Sequence, residues 1–227
     1  MDLLQNLTHV RERIASAAGR SGRVAEAITL VAVTKTVDAG IIRALALAGQ
    51  TKFGENRPQI LRDKSRLLAD LSVSWHQIGT LQSNKIKYVY PTVELVHSID
   101  RPAIIDAFAE WAEKTGKCCP CLLEVHISDE ESKQGFDPGE VLDVILKLRD
   151  RPGLDVRGMM GMAPFTEDRN IVRAAFKKLR RVFEESRQCE GRSYRAVELS
   201  MGMSDDFEIA VEEGSTMVRV GRALFSD

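Results

Sequence analysis

Short apolar and β-branched runs recur along the chain, each followed by a polar loop and then by apolar positions at helical spacing. The runs fall at residues 29–34 (TLVAVT), 51–53 (TKF), 74–78 (SWHQI), 93–97 (VELVH), 121–127 (CLLEVHI), 156–160 (VRGMM), 196–199 (AVEL) and 216–220 (TMVRV). Each is a candidate strand. Helix signals fill the intervals. Asp38 is placed to cap a helix running to Leu47, with Gly49 as its stop. Pro58 and Pro102 stand at early helical positions, where a missing N–H costs nothing, and Gly116 ends the second of these helices. Ser83 opens a short helix ended by Pro91, and Asp137-Pro138 opens another over Val141, Leu142, Ile145 and Leu148. Asp168 or Asn170 begins a long helix closing near Gly191, and Ser204 caps the last, which Gly214 stops. Ahead of the first run, Leu3, Leu4, Leu7, Val10, Ile14 and Ala17 line one side of an amphipathic helix.

Strands alternating with helices imply a parallel sheet, because parallel neighbours need a crossover. Eight such units predict an α/β fold of the (β/α)8 TIM-barrel type, as a single domain over residues 1–227. The competing arrangement is an open doubly wound sheet. After the eighth run only ALFSD remains, too short for a closing helix. The N-terminal helix, residues 2–18, is therefore expected to cover the side left bare.

Composition narrows the class. Lys and Arg total 32 and Asp and Glu 33, a formal charge of -1, which argues against a nucleic-acid binder with a basic stripe. No apolar run reaches the roughly 18–20 residues of a membrane span, and charges at Asp2, Arg11, Glu12 and Arg13 break any signal-peptide core. A cytoplasmic protein is expected. Cys118 and Cys121 form a C-x-x-C pair with no second pair at zinc spacing, so no metal site is assigned.

In such a barrel, chemistry gathers at the carboxyl ends of the strands. Val31, Val33 and Lys35 share one face of the first strand, which turns the lysine toward the interior. An ammonium there is costly to bury unless it is paired or gives up its charge. A lysine stripped of water is the usual preparation for imine formation with a carbonyl. The plainer alternatives are a lysine leaning into water or paired with Glu55. At the other end of the chain, LSMGMSDD and VRVGRA place glycines just after strands seven and eight, where barrels commonly hold a phosphate. Gly202 and Gly221 permit close approach, and Ser200 adds a hydroxyl donor. Asp205 and Asp206 must point away for this to hold. On strand eight Met217, Arg219 and Gly221 share the inward face, which leaves Arg219 needing an acceptor: a ligand, or else Glu124 or Glu198. Together these features suggest a phosphorylated aldehyde. Pyridoxal phosphate fits, with an imine to Lys35, the phosphate at Ser200, Gly202, Gly221 and Arg222, and the ring nitrogen facing Arg219.

Several stretches carry a resemblance: LVAVTKT (30–36), FGENRPQ (53–59), WHQIGTLQSNK (75–85), HSID (97–100), SDEESKQGF (128–136), GMMGMAP (158–164) and the long segment 198–225. In order, over nearly the whole chain, they resemble the pyridoxal phosphate homeostasis protein family, similar in turn to the N-terminal barrel of alanine racemase. The resemblance implies that Lys35 is the cofactor lysine and that Asn56, Ser200, Gly202, Arg219 and Gly221 contact the cofactor. Arg222 stands where the family usually has a small residue, threonine, and Ser226 where it usually has glycine.

An arginine at the ring nitrogen can only donate, so it keeps that nitrogen unprotonated and the ring a poor electron sink. The racemase resemblance would also require a second base, which there comes from an additional domain. Tyr88, Tyr90 and Tyr194 lie away from the predicted strand ends, and His76 and His126 read as packed histidines within strands. The expected function is a monomeric, non-catalytic carrier of pyridoxal 5'-phosphate that acts in cofactor and amino-acid homeostasis and passes the aldehyde to apo-enzymes. The alternatives are a racemase or lyase using the same lysine, and a cofactor-free aldolase. Residues 83–85 could serve a partner or the phosphate.

Overall fold

Eight parallel strands, paired in chain order, close into a barrel in the computed structural model, which describes residues 2–90, 92–128 and 134–225. They are β1 (Thr29–Val33), β2 (Lys52–Glu55), β3 (Ser74–Gln77), β4 (Val93–Ile99), β5 (Pro120–Glu124), β6 (Asp155–Met160), β7 (Tyr194–Ser200) and β8 (Met217–Val220). The seam is made by β1 and β8, where Val31 stands opposite Arg219 and Ala32 opposite Val220. The sheet is closed, so the open doubly wound arrangement is excluded. Helices on the outside are α1 (Leu3–Arg20), α2 (Ala39–Leu47), α3 (Pro58–Leu67), α4 (Ile86–Val89), α5 (Pro102–Thr115), α6 (Val141–Leu148), α7 (Arg169–Ser186), α8 (Phe207–Glu212) and α9 (Arg222–Phe225).

The period of two along each strand sorts side chains between interior and shell. Val31, Leu95, Leu122, Met160 and Met217 form a buried cluster inside the barrel. The alternate residues Ala32, Phe53, Trp75, Val218 and Val220 pack outward against helices. Asp2 caps α1 by accepting from the N–H groups of Leu4 and Gln5. The apolar side of α1 then buries Leu7, Val10, Ile14 and Ala17 against Phe207, Val211, Val218, Val220 and Leu224. Arg13 pairs with Glu208 at 2.9 Å and Arg20 with Glu212 at 2.7 Å along the same contact. The N-terminal helix thus covers the gap beside β8, as its periodicity predicts.

Several boundaries differ from the sequence expectation, each for a local reason. β1 ends at Val33, which places Lys35 in the following turn. Asp137 folds a turn, accepting from Gly139 N at 2.7 Å, so α6 starts only at Val141. Asp206, not Ser204, stands at the N-cap of α8. The C-terminal segment is not bare: it turns into the single-turn helix α9, whose Leu224 is fully buried. Pro91, the segment 129–133 and Ser226 lie outside the described residues.

Candidate functional site at the carboxyl ends of the strands

Behind the first strand, Thr34 Oγ1 donates to Glu55 Oε1 at 2.7 Å, and Lys64 Nζ donates to the same oxygen at 2.6 Å and to Thr34 O at 2.7 Å. Thr34 and Glu55 are fully buried, so this cluster pins the turn from the outer side. The next residue, Lys35, falls on the other side and lines a cavity of about 610 Å³ at the barrel mouth. Glu55 is committed to Lys64 and is not the partner of Lys35. The side chain of Lys35 is exposed, which corrects the expectation of a lysine stripped of water inside the barrel. β1 stops at Val33, two residues short of the lysine, so the side chain leaves from a turn rather than from the strand.

Asn56, Gly221, Arg222 and the floor residue Arg219 line the same cavity, together with Ser204 and the apolar side chains Val33, Ile78, Met162, Phe165 and Met203. Asn56 is brought in by backbone contact. Gly79, two residues beyond β3, lies so close that an added Cβ would stand 2.4 Å from Asn56 O. Gly221 approaches β1 in the same way, with a Cβ reaching 3.2 Å from Val33 O. Five of the seven residues expected to contact a cofactor therefore meet in one place: Lys35, Asn56, Arg219, Gly221 and Arg222.

Ser200 and Gly202 do not line it. Ser200 ends β7 on the inward face and is fully buried, its oxygen accepting from Arg219 Nη1 at 2.6 Å and lying 2.9 Å from His97 Nδ1. Its hydroxyl is engaged beneath the floor, which corrects the expectation that it donates to a phosphate. Gly202 shapes the turn instead. Its φ of +96° is one that side chains rarely adopt, an added Cβ would stand 2.6 Å from Ala210 Cβ, and its carbonyl accepts from Arg219 N at 3.0 Å.

Ser204 is the residue that sequence reasoning used only as a helix cap. Its Oγ accepts from Gly221 N at 3.3 Å and Ala223 N at 3.2 Å, tying the β7–α8 turn to the β8–α9 turn. Its place two residues after a turn glycine was the available signal. The N–H groups of Ser204 and Arg222 have no protein acceptor among the described residues. Asp205 lines the cavity rather than pointing away, but its carboxylate is held by Arg222. Asp206 turns back to accept from Met203 N at 2.5 Å, and burial raises its pKa.

Arg219 is 4% exposed and its Nη2 donates to Gly161 O at 3.2 Å. Neither Glu124 nor Glu198 forms an ion pair with it; Glu198 instead accepts from Thr216 Oγ1 at 2.8 Å. Burial draws the Arg219 guanidinium down to about 10, opposed by Asp206 and Glu124, so it remains charged at neutral pH. Glu124 on β5 is pushed up to about 7 by burial and by Asp100, with Arg219 opposing. Residues 83–85 form a 3-10 turn outside the cavity lining, with Lys85 Nζ 5.9 Å from the centre of the Tyr88 ring. The tyrosines lie elsewhere: Tyr90 Oη donates to Lys117 O, and Tyr194 Oη pairs with Ser186. The cysteines form no disulfide, and no cluster of metal-ligand residues is present among the described residues.

The site is thus a closed (β/α)8 barrel with a lysine after its first strand, an inward arginine on its eighth and the turn at Gly221 beside them, an arrangement that fits the alanine racemase class of barrels. Residues 5–227 match the family model for the alanine racemase N-terminal domain. The chain belongs to that family and, within it, to the pyridoxal phosphate homeostasis proteins. It is 38% identical to the pyridoxal phosphate homeostasis protein of Aquifex aeolicus, over 100% of this chain and 99% of that one. To the protein of that name from Escherichia coli K12 it is 39% identical over 99% and 96%. The solved structure of PipY from Synechococcus elongatus with PLP bound superposes with a TM-score of 0.81 at 33% identity, covering 94% of this chain and 100% of that one.

Proposed function

We propose that this chain is a non-catalytic pyridoxal 5'-phosphate binding protein that holds the cofactor on Lys35 and acts in cofactor and amino-acid homeostasis. One observation carries the reading: a single concavity brings together the Lys35 amine, the donor-only Arg219 and the turn at Gly221 and Arg222. Its volume of about 610 Å³ suits a ligand of this size.

The donor set fits the group. When bound, pyridoxal phosphate supplies an aldehyde that condenses reversibly with a primary amine. Lys35 is the amine at the rim. The unpaired N–H groups of Ser204 and Arg222, with the Arg222 guanidinium, offer a phosphate several charge-assisted hydrogen bonds. Three or four of these, at about 1.5–3 kcal/mol each, give a gross gain of roughly 5–12 kcal/mol before ordering costs, and micromolar affinity needs about 8. Arg219 uses two of its N–H groups below the floor and keeps others for a ring nitrogen, which it can only leave unprotonated. That disfavours carbanion chemistry. The exposure of Lys35 suits release as well as capture.

The reading extends to a monomer in the cytoplasm that delivers its cofactor to apo-enzymes. No helix among the described residues is long and apolar enough to cross a membrane. The test is reduction with borohydride of protein loaded with pyridoxal phosphate, followed by peptide mapping. The expected result is visible absorbance, label on Lys35, and loss of both in Lys35→Ala. Label elsewhere would overturn the site. Rapid deuterium incorporation at the α-carbon of an amino acid would replace the carrier by a racemase or lyase.

A further inference from the structure

Below the cavity floor four buried side chains form one line of hydrogen bonds across the barrel. Arg219 Nη1 donates to Ser200 Oγ at 2.6 Å, Ser200 Oγ lies 2.9 Å from His97 Nδ1, and His97 Nε2 lies 2.9 Å from His76 Nδ1. They come from β8, β7, β4 and β3, and the last three are fully buried. His76 Nε2 ends the line buried and without a partner among the described residues.

The chemistry of the groups gives the line a direction. A guanidinium only donates, so the Ser200 oxygen must accept from Arg219. The single Ser200 O–H is then free for His97 Nδ1, which accepts it. A neutral imidazole that accepts at Nδ1 carries its proton on Nε2 and donates it to His76 Nδ1. His76 in turn carries its proton on Nε2. This direction leaves one buried group unpaired, the His76 Nε2–H. Reversing both rings would leave two: the Ser200 O–H, which has no other hydrogen-bond partner among the described residues, and the His76 Nε2 lone pair. Burial keeps both rings neutral at neutral pH, with His76 down at about 4 and His97 held well below its ordinary value by burial and then by His76 and Arg219, so no additional proton reverses the order.

We propose that His97 and His76 are positioning residues that hold the Ser200 hydroxyl turned inward, so that its oxygen anchors the Arg219 guanidinium and aims its remaining N–H groups at the ligand. The role rests on the functional reading above, because it matters only if an acceptor sits over Arg219. It also gives a physical reason for a serine at the end of β7 that never reaches the cavity.

Long-range nitrogen–proton NMR of the 15N-histidine-labelled full chain reads the order directly. Both His97 and His76 should be neutral and protonated at Nε2, and Ser200→Ala should disturb His97 first. A His97 ring protonated at Nδ1, or cationic at neutral pH, would overturn the proposal. The second arm uses pyridoxal phosphate itself. His97→Gln, whose amide can both accept from Ser200 and donate to His76, should keep wild-type affinity and a visible band independent of pH. His97→Leu should bind about tenfold more weakly and show a band that shifts with pH as the ring nitrogen becomes free to protonate. If His97→Leu and His97→Gln both match the wild type, or both fail alike, the positioning role is overturned. Wild-type protein that takes up no pyridoxal phosphate would sink the functional reading and the positioning role with it, while the NMR result on the line's direction would stand.

Discussion

Val31 and Arg219 stand opposite each other where β1 meets β8, so the closing seam of the barrel joins residues 188 positions apart along the chain. Two facts about the site follow from this register. Lys35 lies four residues beyond Val31 and Gly221 two beyond Arg219, which brings the rim amine and the turn at Gly221 to one end of the barrel. The arginine sits beneath both.

Arg222 and Asp205 are each 64% exposed, so their ion pair adds little to stability, typically 0–1 kcal/mol. Arg222→Ala is expected to leave the melting temperature within about 2 °C. It should weaken pyridoxal phosphate binding about tenfold and flatten its dependence on salt, since a charge-assisted contact is lost. Titration by absorbance at two salt concentrations measures both effects, and unchanged affinity would remove Arg222 from the phosphate.

Gly202→Ala places a Cβ 2.6 Å from Ala210 Cβ at a φ of +96°. Strain and overlap together should cost about 2–4 kcal/mol. In a chain of this size that lowers the melting temperature by roughly 4–16 °C, measurable by calorimetry. A neutral substitution would show that the turn relaxes.

Glu124 is raised to about 7 from an ordinary value of 4.5, so the folded protein binds the extra proton between those values. Its contribution is fully present below about 4.5 and is lost as pH rises through 7. Glu124→Gln should therefore raise the melting temperature relative to wild type at pH 8, with the gain shrinking toward pH 5.

His76 has the opposite sign. Its pKa falls from 6.5 to about 4, so the unfolded chain binds the proton first and stability declines as pH drops from about 6.5 toward 4. His76→Gln should remove that acid-dependent part of the decline in a pH series of thermal melts.

Removal of residues 2–20 would uncover Phe207, Val211, Val218 and Val220, which α1 buries. Leu7, Val10 and Ile14 alone account for about 5–9 kcal/mol of burial, comparable with the whole stability of a typical domain. The truncated chain should aggregate on expression, and a soluble, cooperatively melting product would refute the role assigned to α1.

Much of this arrangement was legible in the residue order because it follows from periodicity. Alternation along 217–221 turns Arg219 inward and Val218 and Val220 outward, and the spacing of Leu7, Val10, Ile14 and Ala17 makes a helix with one apolar side. Those patterns reflect the geometry of single elements, which each segment carries in itself. The eightfold recurrence of strand and helix then leaves few ways to close a sheet.

Other assignments belong to contacts between segments distant in sequence. Glu55 is buried with Lys64 and Thr34, so the lysine after β1 has no carboxylate partner there. Ser200 and Ser204 look alike in the sequence, four residues apart, one ending β7 and the other in the turn that follows. Strand alternation and the Arg219 guanidinium draw the first beneath the floor, while the N–H groups of Gly221 and Ala223 draw the second into the cavity wall. The local chain determined which way each side chain faces on its own strand. Which partner satisfies each buried donor and acceptor was decided only when the barrel closed, because a hydrogen bond needs both atoms within about 3 Å and no segment alone supplies both.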